Sequence, residues 1–268
     1  MARLSRAAQQ KKNREIKWLI IVVLVVVLLI TGLTMLFRNR DKAPDRETLC
    51  PTTGALGHYI VLIDNTDPYR FVQKEALLQR MRSLATRGVP EGYMVSVFVL
   101  GSDFIAHAKP VFEKCNPGIG EDKSGMTANL ARIKKRYQQE FVEPLVAVAD
   151  SLLLKESSQR SPIFEMLQLV AINGFEHQQI KGERKLIVFS DMIPNVPQFS
   201  MYKAVPDFQT FKQAPYGQTT KAQLNNVDVE LNFLLNRPEI QKRSQAGFWE
   251  SYFINSGANV TRTDPMEG

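Results

Sequence analysis

The run HYIVLIDNTD, residues 58–67, decides the fold of this chain. Its first seven residues form an almost continuous apolar stretch that ends in the acid Asp64, which is typical of a buried strand in a parallel sheet. Polar residues follow at once, so the strand ends where the carboxylates begin. We therefore expect a buried strand that places Asp64 at the carboxyl edge of a sheet.

Strand and helix patterns alternate along the rest of the chain. Strand patterns occur at 93–101, 107–113, 185–191, 227–235 and 258–263. The segment 107–113 suits only an edge because it contains Pro110. Helical spacing of apolar residues marks 71–86, 127–154 and 239–256. This alternation predicts an α/β fold: a doubly wound, mainly parallel sheet with helices on both faces.

Two prolines and one long segment refine this pattern. Pro144 should kink or break the helix over 127–154. Ser161 is placed to cap another helix, with Pro162 at the first helical position. Residues 194–222 are predicted to form a long loop rich in aromatic side chains. That loop either packs onto its own sheet or forms a lobe that binds a partner over the strand ends.

Ahead of this domain, residues 18–37 form an apolar stretch without charge. At about 1.5 Å per residue, that length crosses the hydrocarbon core of a bilayer. A cleaved signal peptide would have a shorter apolar region and a small-residue cleavage site, which are not found here. We predict a basic cytoplasmic arm at 1–17, a transmembrane helix at 18–37, a linker at 38–55 and one domain at 56–268.

The charge distribution supports this membrane topology. The chain is formally +7, and residues 1–46 alone hold ten basic and three acidic residues, so the remainder is neutral. The basic bias on the N-terminal side predicts a cytoplasmic N-terminus and a domain outside the cytoplasm, which is the periplasm in a Gram-negative cell. Because the domain carries no basic run, nucleic acid is not an expected partner.

Both cysteines, Cys50 and Cys115, lie beyond the apolar stretch. An even number of cysteines in an oxidising compartment is what one structural disulfide requires. The alternative is two buried thiols that pack as small apolar side chains. We predict a Cys50–Cys115 bridge, whose formation would support export of the domain.

Three short polar segments converge if the sheet is wound as predicted. They are Asp64 to Asp67 after the first strand, Ser161 at a helix start, and Asp191 at the end of a central strand. Carboxylate and hydroxyl oxygens at such a position suit a hard cation such as Mg²⁺. We therefore predict a divalent-metal site formed by Asp64, Thr66, Ser161 and Asp191, with Asp67 as a further candidate.

These segments, together with the strand pattern over about 56–263, resemble the von Willebrand factor type A domain family. In that family the first strand ends in D-x-S-x-S, a distant loop supplies Ser or Thr, and a later strand ends in Asp, commonly as S-D-G. The resemblance implies a metal-ion-dependent adhesion site in which Asp64, Thr66, Ser161 and Asp191 match the ligand positions. It also implies a protein partner that donates an acidic residue to the metal.

The match departs from the family pattern at two positions. Pro68 stands where the second hydroxyl is expected, and Met192 replaces the usual glycine. Each candidate ligand also has a local structural alternative, because Ser161 suits a helix cap and Asp64, Asp67 and Asp191 suit turns. The fold prediction does not depend on how these alternatives resolve.

Enzymatic functions have less support in the sequence. None of the histidines, at positions 58, 107 and 177, has the context of a catalytic triad, and no phosphate-loop or metalloprotease motif occurs. The strand ending in Asp64 faintly resembles haloacid-dehalogenase phosphohydrolases, in which such an Asp attacks phosphorus with Mg²⁺ bound. That family usually has a second Asp where Thr66 stands. We expect a membrane-anchored protein-interaction module rather than an enzyme.

Overall fold

The computed structural model describes residues 6–38, 44–120, 129–153, 158–176, 178 and 180–267, and the chain forms two compact units, 1–43 and 44–268. In the first unit a single helix, α1, runs over Arg6–Arg38. Within it, Ile16–Met35 is long and apolar enough to cross a membrane, and the structure buries none of it. The predicted apolar segment 18–37 is therefore helical.

The second unit is built on a six-stranded sheet. Its strands are β1 (His58–Asp64), β2 (Met94–Leu100), β3 (Phe112–Cys115), β4 (Arg184–Ser190), β7 (Asp228–Leu234) and β8 (Asn259–Met266). A separate hairpin consists of β5 (Asn195–Val196) and β6 (Phe199–Ser200). The order in the sheet is β3-β2-β1-β4-β7-β8, and every neighbouring pair is parallel except β2 and β3. The predicted doubly wound, mainly parallel fold is confirmed.

Most helices follow the predicted pattern with shifted ends, but two short helices and the β5–β6 hairpin lie within 194–222, the segment predicted as a long loop. The α-helices are α2 (Phe71–Ser83), α3 (Leu130–Tyr137), α4 (Glu143–Leu152), α5 (Ile163–Leu169), α6 (Phe208–Gln213), α7 (Pro215–Thr219) and α8 (Arg243–Asn255). A π-helical turn at Gln138–Val142 separates α3 from α4, and Pro144 lies in the first turn of α4. The helical run is continuous through Pro144: in the π-helical turn before it, the Glu143 N–H donates to the Gln138 carbonyl five residues back, and this wider turn accommodates the proline. Residues 121–128 and 154–157 lie outside the described part of the chain.

The edge strand β3 begins later than the predicted segment 107–113. Pro110 has no N–H to donate to a ladder, and regular pairing with β2 starts beyond it, at Phe112. The strand is antiparallel to its neighbour, as is common for an edge strand added to a parallel sheet.

The core has two halves, one on each face of the sheet. Ile60 and Leu62 of β1 pack with α5 and α8 on one face, while Val61 and Ile63 pack with α2 and α4 on the other. Alternate side chains of a strand point to opposite faces, and a strand buried on both faces reads as a continuous apolar run. This is why HYIVLID showed no polar alternation.

The segment predicted as a linker, 38–55, belongs in large part to the folded unit. From Pro44 onward the chain is part of this unit, and Leu49 and Cys50 are buried. The backbone N–H of Cys115 donates to the Thr48 carbonyl over 2.7 Å. Cys50 and Cys115 form the predicted disulfide, with Cα atoms 4.8 Å apart. The polar composition of 38–55 gave no sign that the segment packs on the domain, because only one leucine and one cysteine supply its buried contacts.

The aromatic segment 194–222 packs onto the domain rather than standing over it as a lobe. Phe211 stacks on Phe164 of α5 with ring centroids 4.7 Å apart, and Phe199 and Tyr216 complete the same cluster. Tyr202, by contrast, keeps 37% of its surface exposed. Of the two expectations for this segment, the structure bears out the packed one.

Candidate functional site

The candidate site lies where the winding of the sheet reverses. From β1 the chain continues to β2 on one side, whereas β4 lies on the other side, so β1 and β4 flank the switch point. Ligands of open α/β sheets bind at the carboxyl ends of the strands beside such a point. The structure brings five side chains together there, which we call the carboxyl-edge site: Asp64, Thr66, Ser161, Ser190 and Asp191.

Asp64 is held by hydrogen bonds to both of its carboxylate oxygens. The Thr66 backbone N–H and hydroxyl donate to Oδ1 over 2.9 and 2.7 Å. The Ser190 hydroxyl donates to Oδ2 over 2.6 Å. These bonds fix the turn after β1 and join it to the end of β4, so the carboxylate has one orientation.

Ser161 joins this site rather than capping a helix. Its hydroxyl lies 3.2 Å from the Thr66 hydroxyl, and its backbone exchanges two hydrogen bonds with Asn195. The residue at the N-terminal boundary of α5 is Pro162, with no side-chain capping bond. The prediction that Ser161 caps α5 is therefore wrong, and its hydroxyl belongs to the site.

Asp191 combines burial with an unpartnered oxygen. The Ile193 N–H donates to its Oδ1 over 2.8 Å, and its buried Oδ2 accepts no hydrogen bond from a described residue. The carboxyl group also lies within hydrogen-bonding reach of Asp67, and that bond forms only when one of the two acids is protonated. The next residue, Met192, has a φ of 56°, in the left-handed region that non-glycine residues rarely adopt. Ser190 supports this turn by accepting a bond of 2.8 Å from the Met192 N–H.

Three side chains around α8 bind the backbone of this turn. Gln245 donates to the carbonyls of Asp191 and Met192 over 3.0 and 2.8 Å, Gln241 donates to the Asp191 carbonyl, and Trp249 donates to the Met192 carbonyl. Gln245 and Trp249 share one face of α8 because they are four residues apart, whereas Gln241 lies just before the helix begins. Their role in the site was not predicted from the sequence, although a polar Gln245 one turn before Trp249 in a helix rich in aromatic residues was a usable signal.

Burial dominates the electrostatics of the two carboxylates. It raises the pKa of Asp64 to about 6, against the opposing effect of the bonds from Ser190 and Thr66. Burial likewise raises the pKa of Asp191 well above its usual range, and the neighbouring Asp64 and Asp67 add to the increase. Like charges in a low-dielectric site repel strongly. The site therefore favours either a proton or a cation.

The donor set fits a hard divalent cation in part. The described residues contain no group of three or more His, Cys, Asp or Glu side chains arranged to hold a metal. The site offers two carboxylates and the hydroxyls of Thr66 and Ser161 instead, and the unpartnered Asp191 Oδ2 is a free acceptor. Oxygen donors of this kind suit Mg²⁺. Pro68 supplies no side-chain ligand, whereas Asp67 lies close enough to influence both carboxylates.

The same geometry does not favour Asp64 as a nucleophile. A carboxylate that attacks phosphorus must present an open oxygen, but Asp64 is 2% exposed and both of its oxygens accept hydrogen bonds. His58 is buried against Ser96, and His107 contacts the Asp103 carbonyl. His177 lies outside the described residues. Neither described histidine belongs to the carboxyl-edge site.

Comparison with known proteins gave structural neighbours only. No family model matches the chain, and no curated protein matches it. The crystal structure of the SpRpn10 VWA domain has a TM-score of 0.43 and 12% identity, covering 80% of this chain and 89% of that one. The human COPII-coat protein Sec24c has a TM-score of 0.39 and 10% identity, covering 82% and 31%. The fold assignment accordingly rests on the strand order and register described above.

Proposed function

We propose that this chain is a membrane-anchored protein-binding module, not an enzyme, and that its binding site is the carboxyl-edge site. The unpartnered Asp191 Oδ2, buried beside a second carboxylate, is the observation that carries the proposal. A buried acceptor without a partner costs about 1–3 kcal/mol, and a buried like-charge pair costs more. Such an arrangement is retained more readily if a ligand compensates for it.

The compensating ligand in this proposal is a divalent cation such as Mg²⁺. Asp64, Thr66, Ser161 and Asp191 would hold it, with Asp67 at the rim. When bound, the ion would offset the charge of the carboxylate pair and present a positive centre to an acidic group. This agrees with the role that the resemblance to von Willebrand factor type A domains implies for these residues.

The proposed partner is a protein that contributes an acidic residue. Asp64, Thr66, Ser161 and Asp191 are each 4% exposed or less, so such a residue can enter only if the cover of the site moves. Asp67 and Tyr202 are partly exposed, and the pKa of Tyr202 is raised by its partial burial and then by the nearby carboxylates of Asp67, Asp191 and Asp64. These two side chains form the rim that a partner would contact first.

The helix α1 is the proposed anchor. Ile16–Met35 would cross the membrane, with the N-terminus in the cytoplasm and the folded unit outside it, in the periplasm of a Gram-negative cell. A tethered module of this kind acts only on partners that come within reach of one membrane face.

Calorimetric titration of the full chain in detergent with Mg²⁺ and Mn²⁺ tests the metal site. We expect one saturable site in the wild type and none in Asp191→Asn. Glu75→Gln is the control, because Glu75 is an exposed carboxylate outside the site and its neutralisation changes the net charge equally. Absence of binding to the wild type, or equal binding to Asp191→Asn, would remove the metal from the proposal.

A phosphatase assay separates the binding module from the alternative enzyme. A phosphohydrolase should hydrolyse a generic phosphate ester with Mg²⁺ and lose that activity in Asp64→Asn. We expect no turnover by either protein. Turnover that depends on Asp64 would replace the proposed function with the enzymatic one.

A further inference from the structure

A second concave surface lies between α2 and the outer two strands of the sheet. It is a groove of about 620 Å³ lined by Arg80, Arg82 and Arg87 on one side and by Asp264 and Met266 on the other. A smaller extension of about 180 Å³ continues along the sheet past Lys185, Glu230 and Arg262. We call these two connected spaces the arginine groove. None of the residues of the carboxyl-edge site lines it.

The groove exists because, among the described residues, no helix covers the whole of one face of β7 and β8. The connection from β7 to β8 runs through α8, whose Phe248 and Trp249 pack on the opposite face with Val229 and Leu231. Parallel sheets are normally covered on both faces. The open face is therefore an unusual feature of this fold.

The open face has the composition of a polar contact surface. Glu230 pairs in register with Arg262, and Asn232 pairs with Asp264, so these four side chains alternate along the two strands. An exposed apolar face of this size would promote aggregation, whereas the open face of β7 and β8 carries polar and charged side chains. Arg80 hydrogen-bonds both Asn232 and Asp264, which fixes its guanidinium at the floor of the groove.

Basic side chains outnumber acidic ones in the arginine groove. Five basic and two acidic residues line it. Asp264 is already shared between Arg80 and Arg262, and Glu230 lies 3.3 Å from the Lys185 ammonium. Arg82 and Arg87 are exposed and form no ion pair with a described residue; Arg87 only donates to the Ser83 hydroxyl. The surplus positive charge therefore lies on the side of the groove formed by the end of α2 and by the π-helical turn Leu84–Gly88 that follows it.

Addition of a strand at the free edge of β8 is a poor alternative for this surface. A register shift interrupts the ladder opposite Val229 and Glu230, and Pro265 removes one backbone donor from β8. Both features are known means of protecting an edge strand from pairing. The side chains of the groove, rather than the backbone of its edge, are the recognition element.

We propose that the arginine groove binds an acidic segment of a partner protein. Carboxylates of that segment pair with Arg82 and Arg87, and its polar groups meet Ser83 and Thr86 along the groove. A protein segment fits better than a nucleic acid because only Arg82 and Arg87 are exposed and without an ion pair to a described residue, and a continuous phosphate backbone requires more basic contacts than two. This inference goes beyond the proposed function and does not depend on a metal ion.

Fluorescence anisotropy with a short labelled peptide of alternating Glu and Ser tests the proposal on the full chain in detergent. Reversing two exposed cations in Arg82→Glu/Arg87→Glu should weaken binding at least about tenfold, because two exposed ion pairs are lost and two repulsive contacts replace them. The matched control is Lys134→Glu/Lys135→Glu, which makes the same charge change on the exposed surface of α3. We expect the control to bind as the wild type does.

Three results would overturn the inference. Binding that survives Arg82→Glu/Arg87→Glu would place the peptide elsewhere, and an equal loss in the control would indicate unspecific charge attraction. Tighter binding of a labelled single-stranded oligonucleotide at the same arginines would replace the protein segment by a nucleic acid. Asp191→Asn should bind the peptide unchanged, which keeps this test separate from that of the carboxyl-edge site.

Discussion

At the level of single residues, the carboxyl-edge site places a cost on the stability of the folded unit, which our proposal attributes to a ligand site. Asp191 is 1% exposed, carries an unpartnered oxygen, and faces two other aspartates that raise its pKa. Serine or asparagine at this position would hold the same turn with less repulsion. The carboxylate is therefore explained better by a ligand than by the fold.

Asp191→Asn should stabilise the metal-free protein. The folded state raises the pKa of Asp191, so its ionised form opposes folding above the usual Asp pKa of 3.8, and the amide removes that cost. We expect a gain of about 1–3 kcal/mol in the free energy of unfolding at pH 8 with chelator present. Urea melts at pH 8 and near pH 4 check this, because the gain should vanish once both carboxyls are protonated.

The response to Mg²⁺ completes that comparison. The ion should raise the unfolding free energy of the wild type and of Glu75→Gln but leave Asp191→Asn unchanged. If Asp191→Asn were less stable than the wild type in the presence of chelator, Asp191 would be a structural residue rather than a ligand of a bound ion.

His58 gives the folded unit a defined acid sensitivity. Its side chain is fully buried at the start of β1, its Nε2 lies 2.8 Å from the Ser96 hydroxyl, and Nδ1 has no hydrogen-bond partner among the described residues. Burial lowers its pKa from 6.5 to about 4. Glu113, which accepts a bond from Ser96, lies beyond that hydroxyl. The histidine is therefore neutral in the folded state at neutral pH.

As the pH falls, the unfolded state takes up the His58 proton first. The contribution of the neutral, buried His58 to the free energy of unfolding is complete above pH 6.5. It is lost as the pH falls from 6.5 to 4, by about 3 kcal/mol in total. Asp64 acts with the opposite sign, because stability is lost as the pH rises through its raised pKa of about 6. The difference in urea stability between the wild type and His58→Gln isolates the histidine. A pH-independent difference would contradict the prediction.

At the level of elements, the site depends on a helix that supplies none of its ligands. Gln245 of α8 is 1% exposed, and its side-chain amide donates hydrogen bonds to the backbone carbonyls of Asp191 and Met192. Met192 sits in the left-handed region without the conformational freedom of glycine. The hydrogen bonds from α8 stabilise a turn that its own sequence does not favour.

Gln245→Leu should therefore damage both stability and the site. Loss of two buried bonds should cost about 1–2 kcal/mol, because Gln241 and Trp249 still donate to the Asp191 and Met192 carbonyls. Mg²⁺ affinity should fall because the turn relaxes. Gln209→Leu is the control, since Gln209 is exposed on α6 and its side chain is outside the site. Thermal melts and calorimetry measure the two effects. Unchanged Mg²⁺ affinity in a destabilised Gln245→Leu would limit α8 to a structural role.

The sequence predicted those elements whose signal is local. HYIVLID and KLIVFSD read as buried strands because both of their faces are covered, and strand ends in a parallel sheet meet at one edge. Asp64, Thr66 and Asp191 could therefore be placed together in advance. The Cys50–Cys115 bridge followed from composition and position alone.

Contacts between distant segments were not predictable in this way. Ser161 read as a helix cap because capping residues and site hydroxyls are the same residue types, and only the fold places it beside Thr66. The burial of Leu49, which is 1% exposed, was not predictable because it is a single apolar residue in a polar segment without periodicity. The arginine groove arises from the side on which α8 crosses the sheet, which no local pattern specifies.

At the level of the whole molecule, the charge and the cysteines point to the same topology. All of the net charge of +7 lies within residues 1–46, and the disulfide lies in the second unit, between residues 65 positions apart. In the chain-entropy model a loop of that length contributes about 4 kcal/mol to stability. The bridge persists only in an oxidising compartment, so its redox state reports where the folded unit resides.

Reversing the N-terminal charge should therefore change the state of the disulfide in cells. In the wild type we expect Cys50 and Cys115 to be oxidised and resistant to alkylation. Lys11→Glu/Lys12→Glu/Lys17→Glu weakens the basic bias that, in the proposed topology, keeps the N-terminus in the cytoplasm, so part of the protein should retain its second unit there with free thiols.

The control Lys134→Glu/Lys135→Glu/Lys212→Glu makes the same change in net charge within the folded unit and should leave the bridge intact. Alkylation of denatured protein, resolved on non-reducing gels, measures both fractions. Free thiols in the wild type would contradict the proposed export of the folded unit, because Cys50 and Cys115 are the two cysteines of the chain and both lie in that unit.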